Sequence, residues 1–242
     1  VTVTRIHRYP DAAGLADGVA QRLLDQLVAL QGTGAVAQLC LTGGRIANRM
    51  YTRFAALANG PLHPDQLELW WGDERFLPSG DPDRNAGPAL EILGSLGLSP
   101  SLTHSMPGSD GILEGAQAAS TYAKEIDDTT FDICLLGMGP DGHVASIFPD
   151  HPSSDPTTAK VIEVNDAPKP PPDRISLTVP VLNKSQEVWF LVSGGEKADA
   201  VARAVAGDDT IPGGRVRGEV ATRFFLDVAA AALLPQPYRC EL

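Results

Sequence analysis

Short continuous apolar runs alternate along this chain with longer stretches whose apolar residues recur every three or four positions. The runs AVAQLCL (35–41), LELWWG (67–72), FDICLLGMG (131–139), KVIEV (160–164), RISLTVPVL (174–182) and EVWFLVSGG (187–195) read as strands. The stretches ADGVAQRLLDQLVALQ (16–31), IANRMYTRFAALAN (46–59), AGPALEILGSLG (86–97), GILEGAQAASTYAKEID (111–127) and EKADAVARAVAG (196–207) read as helices. FFLDVAAAALL (224–234) reads as a last strand-to-helix passage, with Asp227 as its N-cap. Strands that alternate with helices predict an α/β fold, a mainly parallel sheet covered by helices on both faces. No repeat or low-complexity linker interrupts the pattern, so residues 1–242 are expected to form a single domain, with the Pro-rich loop at 149–173 as an excursion within it.

In an open parallel sheet the carboxyl ends of the strands form one edge, and ligands bind there. Four strand-ending loops, at 42–45, 72–75, 137–143 and 193–197, are rich in glycine and charge and are expected to meet at that edge.

Composition narrows the partner class. The chain has 242 residues, 43% hydrophobic and 20% charged, which suffices for a sizeable core. Its net charge of −11 argues against nucleic acid, which needs a basic face. An anionic small molecule is compatible, provided a local cationic pocket exists. No apolar run approaches the length of a membrane span, and VTVTRIHRYPDAAG lacks the apolar core of a signal peptide, so a cytoplasmic protein is expected. Cys40, Cys134 and Cys240 show no metal spacing and read as reduced thiols, the first two buried in strands.

Four motifs carry candidate chemistry. LTGGR (41–45) places Gly43, Gly44 and Arg45 between a strand and a helix, where backbone N–H groups suit a phosphate. Alone such a turn is more often a plain connection, and neither the dinucleotide fingerprint nor the P-loop pattern is present. WWGDERFLPSGDPDRN (70–85) sets Asp73, Glu74 and Arg75 after a strand, and the Arg75 fork suits phosphate or carboxylate. GMGPDGH (137–143) puts His143 among glycines, two positions after Asp141. A histidine suits proton transfer near neutral pH, and the carboxylate either orients the ring, competes as a catalytic group or shapes the turn. The other histidines, at 7, 63, 104 and 151, receive no role. Arg174 before a strand and Lys197 near a helix start complete a cationic set on an acidic chain.

Taken in order, the blocks TGG, GDERFLPSGDPDRN, GMGPDGHVASIFP, RISLTV, GGEKADAV and FFLDVAAAAL resemble the 6-phosphogluconolactonase family along most of the chain. The DGHxASxFP block is the most specific. One departure stands out: the family's first turn usually continues GGSTP, whereas this chain has GGRIA, so the hydroxyl contacts of that turn do not carry over. Arg45 either compensates or points to solvent.

The resemblance implies a Rossmann-like fold related to glucosamine-6-phosphate deaminase. It implies hydrolysis of 6-phospho-D-glucono-1,5-lactone, with no metal or organic cofactor. It places His143 in the catalytic position, with Asp141 beside it, and Asp73, Arg75, Arg174 and Lys197 around the substrate and its phosphate. The expected partner is the sugar-phosphate lactone alone, with the protein a monomer or weak homo-oligomer.

Two other readings compete. A deaminase-like isomerase would carry an acidic residue soon after the histidine, in an NEP-type sequence, and HVASIFP has none. A non-catalytic sugar-phosphate binding module would usually carry an added DNA-binding segment, and the length and acidity leave no room for one.

Overall fold

The computed structural model describes residues 2–111 and 114–235. Its main sheet has seven strands, all parallel, in the order β1-β10-β9-β6-β2-β3-β5. These are β1 (Val3–Tyr9), β2 (Ala37–Leu41), β3 (Leu67–Trp71), β5 (Thr103–His104), β6 (Ile133–Leu136), β9 (Glu187–Val192) and β10 (Ala221–Asp227). A small antiparallel sheet, β4 (Asp73–Arg75), β8 (Arg174–Leu177) and β7 (Val161–Val164), leans against it in the order β4-β8-β7.

Alternation within the strands divides the core in two. In β9, Trp189 and Leu191 face one side, where they join the apolar faces of α1 (Ala12–Gln31), α2 (Arg45–Ala58) and α3 (Ala86–Leu93). Val188, Phe190 and Val192 face the other side, against α4 (Gly115–Ile126), α6 (Ala198–Val205) and the small sheet. The sheet is thus covered on both faces, as the sequence pattern predicts. Two short helices, α5 (Val179–Leu182) and α7 (Pro212–Arg215), complete the α-helices among the described residues. Cys40 and Cys134 are buried free thiols in register on β2 and β6, and Cys240 lies outside the described residues.

The differences from the sequence reading have physical causes. RISLTVPVL is not one strand: β8 ends at Leu177, and the Thr178 carbonyl accepts from the Val181 and Leu182 N–H groups to start α5. Pro180 cannot donate to a ladder, so the chain turns helical there. After β10 the described residues form a run of turns over 228–233 and no regular helix, opened by Asp227 Oδ1 accepting from the Ala230 N–H at 2.7 Å. The helix expected from residue 111 starts at Gly115, closed by a capping box of Glu114 and Gln117. β1, β4 and β5 are additional strands: β1 is an exposed edge with charged residues, and β4 is three residues long inside the charged loop.

The strand order fixes where a ligand fits. From β2 the chain proceeds outward through β3 to β5, and from β6 it proceeds the other way through β9 to β10. The loops after β2 and β6 therefore diverge, which leaves a crevice between their carboxyl ends.

Candidate active site

The crevice opens into a cavity of about 640 Å³. Gly43, Gly44, Arg45, Asp73, Arg75, His143, Arg174 and Lys197 all line it. Asp141 stands behind His143 and touches its ring. The sequence reading did not single out Lys169, Arg49 or Asn85, which also line the cavity. Among the described residues six cations, Arg45, Arg49, Arg75, Lys169, Arg174 and Lys197, therefore face one space on a chain of net charge −11, and such a local reversal of sign is an anion-receptive field.

The glycines after β6 shape the histidine's seat. Gly142 has φ +83°, a left-handed conformation that favours glycine, and donates to the Gly139 carbonyl at 3.0 Å. Gly139 in turn donates to the His143 carbonyl at 3.0 Å. The His143 ring lies so close over Gly139 that a Cβ there would overlap it and the Asp141 carboxylate. Gly213 donates to the Gly142 carbonyl, so α7 braces the loop from behind.

His143 Nδ1 is 2.6 Å from Asp141 Oδ1. Burial pushes the Asp141 carboxyl up, but the hydrogen bond from His143 and the charges of His143 and Lys169 outweigh it and hold the group well below the usual carboxylate range. An ionised carboxylate only accepts, so Nδ1 carries the proton and, in the neutral ring, Nε2 carries the lone pair. Among the described residues Nε2 takes no hydrogen bond from the protein. Lys169 Nζ lies 3.5 Å from Asp141 Oδ1 and 3.1 Å from His143 Nδ1. The Phe148 ring packs on the imidazole with centroids 4.8 Å apart.

The three residues of β4 divide their work. Glu74 is fully buried and accepts from the Arg75, Asn85 and Ala86 N–H groups, with Arg84 3.7 Å away. Burial raises its pKa against those four partners. It anchors the start of α3 and does not line the cavity. Asp73 is buried at the cavity wall, where its Oδ2 accepts from Ser146. Arg75 sits directly opposite Arg174 in the β4–β8 ladder. Like charges so placed repel, unless an anion lies between them.

On the far wall, α2 begins at Gly44, φ +107°, with no side-chain cap and no acid in its first turn. Its first N–H groups are thus left to a ligand or water. Arg45 is exposed at this end, with Arg49 one turn on. Lys197 approaches from the loop after β9. Burial depresses its pKa, and the nearby charges of Arg45 and Lys169 add to that against Glu196 and Asp227. Asp227 fixes this loop by accepting from Ser193 Oγ at 2.5 Å and from the Gly194 N–H. Among the described residues no cluster of three His, Cys, Asp or Glu side chains is arranged to hold a metal.

Fold and site define a Rossmann-like α/β enzyme with a histidine-bearing, anion-receptive cavity at the switch point of its sheet. The chain belongs to the glucosamine-6-phosphate isomerase/6-phosphogluconolactonase family, whose model matches residues 10–224. It is 43% identical to the 6-phosphogluconolactonase of Streptomyces coelicolor over 96% of this chain and 94% of that protein. The crystal structure of the Thermotoga maritima 6-phosphogluconolactonase superposes with a TM-score of 0.83 at 28% identity, covering 93% of this chain and 99% of that one. A solved monomeric glucosamine-6-phosphate deaminase shares the fold, with a TM-score of 0.79 at 20% identity over 95% of this chain and 99% of that one. No helix among the described residues is long and apolar enough to cross a membrane.

Proposed function

We propose that this protein opens 6-phospho-D-glucono-1,5-lactone to 6-phospho-D-gluconate, the second step of the oxidative pentose phosphate pathway, by direct attack of water on C1. The observation that carries the reading is the Asp141–His143 pair in a cavity that, among the described residues, is lined by six cations and offers Nε2 no hydrogen-bond partner. Asp141 fixes the tautomer, and Nε2 takes a proton from the attacking water. The carbonyl oxygen becomes an oxyanion, stabilised by backbone N–H groups of the glycine loops. The C1–O5 bond then breaks, and the imidazolium returns the proton to O5. Among the described residues no Ser or Cys side chain lies within hydrogen-bond distance of the His143 ring, which supports water as the nucleophile. Gly43, Gly44 and Arg45 at the start of α2, with Lys197 from the loop after β9 and Arg75 from β4, suit the phosphate. In this reading the chain is a single catalytic domain and uses no metal or organic cofactor.

A substrate comparison tests the proposal. The same preparation receives 6-phosphogluconolactone, unphosphorylated gluconolactone and glucosamine 6-phosphate, with spontaneous lactone opening subtracted. Charge-assisted hydrogen bonds contribute roughly 1.5–3 kcal/mol each. Removing a phosphate held by two or more of them lowers kcat/KM by at least about 10²-fold. Comparable rates on both lactones overturn phosphate recognition. Ammonia release from glucosamine 6-phosphate moves the assignment to the deaminase branch.

A further inference from the structure

We infer that Arg174 is a positioning residue of the Asp141–His143 pair, acting through Lys169 and Phe148, and not a ligand of the substrate phosphate. The inference rests on His143 being the base of the proposed reaction. Arg174 is 6% exposed. Its Nε donates to the Pro171 carbonyl at 3.1 Å, and its Nη2 donates to the carbonyls of Lys169 at 3.0 Å and Pro170 at 3.1 Å. Three of the five N–H groups of the guanidinium are thus occupied by three consecutive residues. A planar fork makes such a clamp, and a single ammonium does not.

The clamped segment carries the ammonium that meets the pair. Lys169 Nζ approaches Asp141 Oδ1 and His143 Nδ1, so it holds the carboxylate as an ionised acceptor on the proton-bearing edge of the ring. The opposite consequence of Arg174 runs through an aromatic wall. Its guanidinium carbon is 5.7 Å from the Phe148 ring centroid, and that ring packs on His143. One buried guanidinium therefore sets two neighbours of the imidazole, and a misplacement of about 1 Å at a reacting group costs on the order of 10²-fold in rate.

The test uses Arg174→Met, Arg174→Lys, Lys169→Met and the double variant Arg174→Met/Lys169→Met. The readouts are kcat and KM on the phosphorylated and unphosphorylated lactones, and competitive inhibition by inorganic phosphate. Expected is a loss of about tenfold or more in kcat on both lactones for either Arg174 variant, without rescue by lysine. The phosphate inhibition constant stays within about twofold, and the double variant is little worse than the more severe single one, because the two residues act as a unit. A phosphate ligand behaves differently. Arg174→Met then weakens phosphate inhibition about tenfold, spares the unphosphorylated lactone, and is partly restored by lysine; that result overturns the inference. Should Arg174→Met not fold, Arg174→Lys and the loop variant Lys169→Met report the same quantities. His143→Ala is run alongside. Near-normal turnover there refutes the general-base reading, while the phosphate inhibition assay still decides whether Arg174 binds phosphate.

Discussion

Ser146 donates its hydroxyl to the buried Asp73 carboxylate at 2.7 Å and so ties the loop that bears His143 to the small sheet. The Ser146 N–H reaches Ser176 Oγ in β8 at 3.2 Å, and Asn85 Nδ2 reaches the Asp73 carbonyl at 3.0 Å. Asp73 is therefore a strut as well as a wall of the cavity, with Oδ2 occupied by the protein. Ser146→Ala leaves that oxygen buried without its donor, a loss of roughly 1–3 kcal/mol. The expected outcome is a lower midpoint in urea with an unchanged m-value, together with a reduced kcat/KM. A wild-type midpoint in the variant refutes the strut.

Asp141 links activity to tautomer and stability to pH. His143→Ala removes the proposed base and lowers kcat by about 10²–10⁴-fold. Asp141→Asn keeps the shape but no longer dictates which ring nitrogen carries the proton, so kcat falls with little change in KM. The carboxyl is held below its ordinary range in the folded state. Its stabilising contribution is therefore present above the unfolded carboxylate pKa, near about 4, and is lost as pH falls through the lower folded value. The wild type should be more stable than Asp141→Asn near neutral pH, and the margin should shrink as pH falls below about 4. A margin that grows toward acid contradicts the sign.

Much of this site is legible in the sequence because its signals are local. Apolar runs ending in glycine mark strand ends, and Asp141 and His143 sit two residues apart in one loop. What escapes the sequence is set by partners far along the chain. Lys169 lies in DAPKPPPDR, where the prolines announce only a loop, and its meeting with Asp141 depends on how Arg174 clamps that loop. Arg75 and Arg174 become neighbours only through the β4–β8 register, which three residues inside a charged loop do not reveal. Asp73 lines the cavity as expected from the sequence, but its bond to Ser146, 73 residues further along, is not visible there. β1 is missed for a different reason: its exposed edge carries Arg5, His7 and Arg8 among apolar residues, so no continuous apolar run appears.

Gly139 has no room for a side chain beneath the imidazole. A Cβ there overlaps His143 Cε1 and Nδ1 and an Asp141 oxygen. Gly139→Ala must displace the ring or the loop, and displacing the ring is easier because one face of it borders the cavity. The expected result is a fall in kcat of about tenfold or more with the protein still folded, since a shift of about 1 Å at a reacting group suffices. Circular dichroism and steady-state rates on one preparation check this, and wild-type turnover contradicts it.

Lys197 stands half-buried near two other cations, and its ammonium is destabilised by burial first and by Arg45 and Lys169 after that. A bound phosphate relieves this crowding, so the cost of assembling the charges is recovered when ligand arrives. Three measurements on Lys197→Met follow from that balance. KM for the phosphorylated lactone rises about tenfold or more while kcat stays within about twofold, the pattern of an interaction equal in ground and transition states. The unphosphorylated lactone shows no such change. Without ligand the variant melts at or above the wild-type temperature, because a desolvated like-charge contact has been removed. Added inorganic phosphate raises the Tm of the wild type more than that of the variant, since only a ligand that binds the folded state shifts the transition. A loss of kcat with unchanged KM, or an equal phosphate-induced Tm rise in both proteins, would place Lys197 outside the phosphate subsite.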